Sequence, residues 1–154
     1  RAGTPPEEVY TRPFIQVWQA LATGRPYVEA VNVGLARATS SAAMDVQLAM
    51  RDTLKAVGDI DPAIAGYQRV ADPGACEYCL LLDGAQFRTD DPMPIHNFCG
   101  CGVEPVVYTR GFDNRNNLAK FNADKTSIPD GVKVNDHGEL GPVLGDPDQH
   151  FTKL

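Results

Sequence analysis

Nowhere in the chain do about 20 apolar residues follow one another, the length a helix needs to cross a bilayer, and no basic–apolar signal segment is read at its start. A soluble protein without a membrane partner is expected. Positive charge is scarce: 14 Lys and Arg face 20 Asp and Glu, giving a formal net charge of −6. The shortage is local. Residues 1–60 carry six side chains of each sign, whereas residues 61–110 carry three basic and seven acidic ones, and residues 111–154 five and seven. Nucleic-acid binding normally draws on a basic patch that releases counterions from phosphates, so DNA or RNA is not expected as the main partner. Cysteine is missing from most of the chain; all four lie between residues 76 and 101. A disulfide-stapled secreted domain would spread its cysteines more widely, and two close pairs point to a metal instead. There is no phosphate-cradling glycine loop of the P-loop kind, no internal repeat and no low-complexity block. The first residue is Arg1 and not Met, as expected of a processed product or of part of a longer chain.

What is present divides into three regions. The 14 Gly and 12 Pro fall mostly after residue 57, which predicts helices first and irregular structure later. Thr4-Pro5-Pro6-Glu7-Glu8 offers a cap, prolines for a first turn and acids at the positive end of the helix dipole. Pro13 is expected to break or restart this helix, with Phe14, Val17, Trp18 and Leu21 as its apolar face as far as Gly24. A second helix is predicted over Pro26–Val57, about 48 Å at 1.5 Å per residue. Its apolar residues recur at Val28, Val31, Leu35, Ala38 and Ala42, then at Val46, Ala49, Met50, Leu54 and Val57. Either it is a core helix of a bundle or it docks on another subunit. Residues 59–110 form the second region. Gly66–Val70 reads as a strand, Leu80–Leu82 with Gln86-Phe87 as a hairpin, and Val103–Thr109 as a strand that Pro105 confines to an edge or a bulge. In residues 111–154, Val132, Val134, Leu140, Val143, Leu144 and Phe151 are scattered among Gly, Pro, Asp and Asn. That composition offers little self-burial against its ordering entropy, so the segment is expected to be either a disordered tail or, as the favoured reading, an extended arm that orders on a neighbour. The fold class is therefore α+β: N-terminal helices (1–58), a small zinc-ribbon-like β module (59–110) and an extended C-terminal arm (111–154).

The strongest chemical signal is Cys76-x2-Cys79 followed by His96-x2-Cys99-x-Cys101. Two ligands separated by two residues can pinch an ion from one tight turn, here prepared by Asp72-Pro73-Gly74. A second close pair completes a tetrahedron, and thiolate with imidazole is the donor set that Zn²⁺ favours. Cys76, Cys79, His96, Cys99 and Cys101 are five candidates for the four places of a structural zinc site. Cys76 and Cys79 are the secure pair, and either Cys101 or His96 is the spare. Reduced thiols, or disulfides in oxidising surroundings, are the plainer alternative. The order of the motif does not suit a nucleoside deaminase, in which His-x-Glu precedes Pro-Cys-x-x-Cys. His137, beside Asp136, and His150 could serve a metal-supported nuclease, but a loop His is more often a surface group. Thr39-Ser40-Ser41 reads as small-residue packing more readily than as a nucleophile.

Gly66-Tyr67-Gln68-Arg69-Val70, Cys76-x2-Cys79 and Met93-Pro94-Ile95-His96-x2-Cys99-x-Cys101-Gly102-Val103-x-Pro105 together resemble the phage head-morphogenesis, or Mu F-like minor capsid, family, in the version associated with a capsid maturation protease. Pro6-Glu7-Glu8-Val9-Tyr10-x-Arg12-Pro13-Phe14 and His137–Leu144 also resemble that group. Asn97 and Gly100 depart from it, standing where proline and a charged residue are frequent. The resemblance implies a minor structural protein of a tailed-phage head, made in the host cytoplasm and carried in the virion in several copies. It would be assembled with the major capsid protein or the portal protein through protein–protein contacts. It implies no catalysis by this chain; a protease portion would lie outside it. The alternative from another class is a metal-supported hydrolase, nuclease or toxin domain packaged with the genome.

Overall fold

The computed structural model describes residues 1–96, 100–107 and 132–145. Helix α1 (Pro6–Ala22) starts on the two prolines and the acids Glu7 and Glu8, with Pro5 in place of Thr4 as its N-cap. It ends at Gly24, whose φ of 81° suits a residue without a side chain. Pro13 lies inside α1 and, contrary to expectation, does not interrupt it. An internal proline costs a helix roughly 3 kcal/mol, and packing on the next helix offsets this. Helix α2 (Tyr27–Ile60) folds back antiparallel to α1, with Gly34 set against Val17 and Pro13. A Cβ added at Gly34 would lie 2.3 Å from Val17 Cγ2 and 3.0 Å from the Pro13 carbonyl oxygen. Gly34→Ala is accordingly expected to destabilise the chain by about 1–3 kcal/mol, although alanine is the better helix former by roughly 1 kcal/mol. Thermal melting checks this; a raised Tm would contradict the close approach.

The 34 residues of α2 span about 51 Å, close to the expected extent. Its orientation is the finding. Most of the apolar stripe points outward: Leu35 is 63% exposed and Val46 66%, and Val28, Val31 and Val57 are exposed as well, while Met50 and Leu54 pack against the core. On α1, Trp18 (72%) and Phe14 (67%) are likewise outside. The buried face of α2 is made of Ala30, Gly34, Ser40, Ser41, Met44, Gln47 and Arg51. Small residues let α1 approach, and two of the polar ones satisfy carbonyls of irregular segments. Gln47 donates to the Cys101 carbonyl at 3.2 Å, and Arg51 donates to those of Met93, at 3.2 Å, and Leu140. Buried backbone groups outside regular ladders need such partners. Among the described residues no helix is long and apolar enough to cross a membrane.

Strand β1 (Ile64–Val70) is the centre of a three-stranded antiparallel sheet. A short helix, α3 (Glu77–Leu81), leads to β2 (Gln86–Phe87) on one side of β1. Strand β3 (Gly102–Val107) pairs on the other side, and Pro105 sits on this edge strand opposite Tyr67, where a missing donor is tolerated. Leu80-Leu81-Leu82 does not enter the expected hairpin. It closes α3, with Leu82 fully buried and Leu80 and Leu81 exposed. Tyr67 stacks on Phe87 at 5.6 Å between ring centroids, and Met44, Met93, Ile95, Leu140 and Val143 surround them. The Tyr67 hydroxyl donates to the Asp91 carbonyl at 2.6 Å and accepts from the Met93 amide at 2.8 Å. Burial pushes its pKa up to about 12.

Part of the expected arm belongs to this core. Strands β4 (Val134–Asp136) and β5 (Pro142–Leu144) form a hairpin whose Leu140, Val143 and Leu144 are buried among the chain's own residues. Its apolar residues are too few to make a core alone, but they fill the open side of the sheet module. Residues 132–145 of the expected arm thus order on the chain's own sheet module. The turn-prone Asp113–Asn117 and the final residues, Phe151 included, lie outside the described residues.

Candidate metal centre

The turn before α3 is built as its sequence suggests: Asp72 accepts from the Gly74 amide through its side chain and from the Ala75 amide through its carbonyl, each at 2.8 Å. Cys76 then caps α3 and Cys79 is its third residue. Residues three apart on a helical turn share a face, so both thiols point the same way. His96 arrives from the other side, and its position depends on the C-terminal hairpin. Ile95 bridges to Val143 in parallel, its amide donating to the Pro142 carbonyl at 3.2 Å and its carbonyl accepting from the Leu144 amide at 2.8 Å. The next residue, His96, is thereby held with Nε2 at 2.8 Å from Cys79 Sγ and 3.3 Å from Cys76 Sγ.

Cys76, Cys79 and His96 place one donor atom each within 4.8 Å of one another. A tetrahedral zinc, with bonds of about 2.3 Å to sulfur and about 2.0–2.1 Å to nitrogen, needs donors roughly 3.5–3.8 Å apart. The three donors fit such an ion in softness and, with small adjustments, in spacing. Cys79 is fully buried, His96 nearly so, and Cys76 half-buried. Burial pushes the Cys76 thiol up. The Cys79 and Tyr78 amides, the charge of His96 and the Cys79 side chain outweigh it, so the thiol titrates below its ordinary range. Of the two remaining candidates, Cys101 is buried beside Cys79, Leu82 and Leu144 but is not a member of the close donor group. Cys99 lies outside the described residues.

One functional residue was not singled out as such in the sequence. Arg69 is fully buried, donating to Cys79 Sγ at 2.9 Å and to the Pro94 carbonyl at 2.7 Å. It thus ties the first ligand turn to the segment that carries His96. Its signal is positional: Tyr67 and Arg69 alternate on the inward face of β1, where an arginine demands a charged or polar partner. His137, considered for nuclease chemistry, is not a member of the close donor group. Ser40, Ser41 and His137 line a separate cavity, and His150 lies outside the described residues.

A family model described as VG15 protein matches residues 15–124, which include every candidate ligand. No curated protein and no solved structure matches the chain.

Proposed function

The chain belongs to the VG15 protein family, a viral gene-protein family, and from that premise we propose that it is a minor structural protein of a tailed-phage head. In this reading it resides in the virion and works through contacts with the major capsid protein or the portal protein, in several copies per particle. The observation that supports it is the apolar surface left outside by α1 and α2, with Phe14, Trp18, Leu35 and Val46 each about two-thirds exposed. Large apolar side chains exposed along both packed helices suit a surface for protein association. The metal is structural zinc, held by Cys76, Cys79 and His96, with Cys99 as the fourth ligand on the strength of its His96-x2-Cys99 spacing. Zinc here supplies a cross-link between two loops, and this chain performs no catalysis. Trp18→Lys combined with Leu35→Lys is expected to leave the melting temperature nearly unchanged, since surface substitutions usually cost within about 0.5 kcal/mol, and to reduce incorporation into particles at least about tenfold. Quantitative mass spectrometry of purified particles checks this. Normal incorporation of a folded double variant would overturn the proposal.

The donor trio favours one second reading. Three protein ligands plus water make an open centre of the hydrolytic kind, the arrangement of a metal-supported hydrolase, nuclease or toxin domain. X-ray absorption separates the two: four protein donors support the structural centre, and three with a light water ligand support the catalytic one.

A further inference from the structure

Away from the metal centre, α1, α2 and the β4–β5 loop enclose a cavity of about 180 Å³ whose wall holds three arginines, Arg1, Arg12 and Arg37. Two of them are paired. Arg1 bonds Asp45 at 2.8 Å and approaches Glu139 at 3.6 Å, while Arg12 reaches Glu139 at 3.0 Å and Glu8 at 3.2 Å. Arg37 has no ion pair among the described residues, and its Nε is buried without a hydrogen-bond partner. The surroundings disfavour its charge: burial lowers its pKa first, the charges of Arg12 and Arg1 lower it further, and only Glu139 opposes them. The same wall holds two more unsatisfied buried atoms, Ser41 Oγ and Gln16 Oε1. His137 also lines it. Arg37 is thus a half-buried guanidinium near two others, and the one carboxylate that favours its charge, Glu139, is already bonded to those neighbours.

We propose that this cavity binds a small oxyanion, a phosphate or a carboxylate, with the Arg37 guanidinium as its main ligand and the Ser41 hydroxyl as a second donor. Oxyanions suit the site because guanidinium presents parallel N–H groups to two oxygens at once. The volume has room for several waters and hence for an ion of four or five heavy atoms. The source of the oxyanion is either free phosphate or an acidic side chain of a neighbouring protein.

The test uses the whole chain and two probes, sodium phosphate and sodium acetate, against sodium chloride at matched ionic strength. Calorimetric titration and thermal melting should show saturable binding and a raised Tm for at least one probe. Arg37→Met should weaken that binding at least about tenfold while melting no lower than wild type in chloride, because it removes an unpaired, desolvated charge. Arg25→Met, at an exposed arginine elsewhere, should leave binding unchanged. Phosphate binding alone points to the free anion, and acetate binding to a carboxylate side chain. Absence of saturable binding by either probe, or an Arg37→Met variant that binds as wild type does, would overturn the proposal.

Discussion

Replacing Cys79 with serine is expected to abolish metal binding and to unfold the sheet module. The Cys79 sulfur is buried, 2.8 Å from His96 Nε2, and accepts a hydrogen bond from Arg69. A serine hydroxyl is shorter, harder and protonated at neutral pH, so it provides neither the thiolate nor the reach. Structural zinc contributes roughly 10–16 kcal/mol in small metal modules, which equals or exceeds the net stability of about 5–15 kcal/mol typical of a domain. Few other contacts could replace it, since among the described residues the cluster around the site has four buried members, Cys79, Leu82, Cys101 and Leu144. Elemental analysis should fall from one zinc per chain to none, with loss of near-ultraviolet circular dichroism. Cys101→Ala is the matched control. It should keep the metal and lose about 1–2 kcal/mol from a small cavity. Metal retained by Cys79→Ser would contradict this assignment.

Arg69 gives the second large effect. Arg69→Ala is expected to cost about 3–5 kcal/mol, the usual result of breaking a buried charged network and leaving a cavity. The Pro94 carbonyl and the Cys79 sulfur would both lose a donor. Arg69→Met restores the apolar stem but neither bond, and should recover only part of the loss. Arg69→Lys should not recover it fully either, because one ammonium cannot reproduce the planar fork that reaches two acceptors. Urea unfolding of the metal-loaded protein measures the series. An Arg69→Met variant within about 0.5 kcal/mol of wild type would show that the two bonds contribute little.

Both predictions rest on residues whose importance was unequally legible in the sequence. Cys76 and Cys79 could be read directly, because two-residue spacing has one local geometric meaning. The long helix was equally clear, since nothing between Pro26 and Gly58 interrupts it. Its orientation was not. Periodicity marks an apolar stripe but does not say that the opposite face, carrying Gln47 and Arg51, is needed to satisfy the carbonyls of Cys101, Met93 and Leu140. Those carbonyls belong to distant irregular segments and leave no trace near residues 47 and 51. Pro13 misled for a related reason: the local penalty was visible, but the packing of Val17 on Gly34 was not. Leu140, Val143 and Leu144 looked too sparse for a core because they are only its missing side. Their hairpin also sets the position of His96, so the second half of the candidate metal centre depends on a contact nearly fifty residues away in sequence.

Native mass spectrometry of the purified chain, followed by melting before and after exhaustive chelation, tests the central claim most directly. A structural centre predicts one zinc per chain and a cooperative transition that collapses once the ion is stripped and returns when zinc is restored. A metal-free protein whose melting is indifferent to the chelator would contradict it.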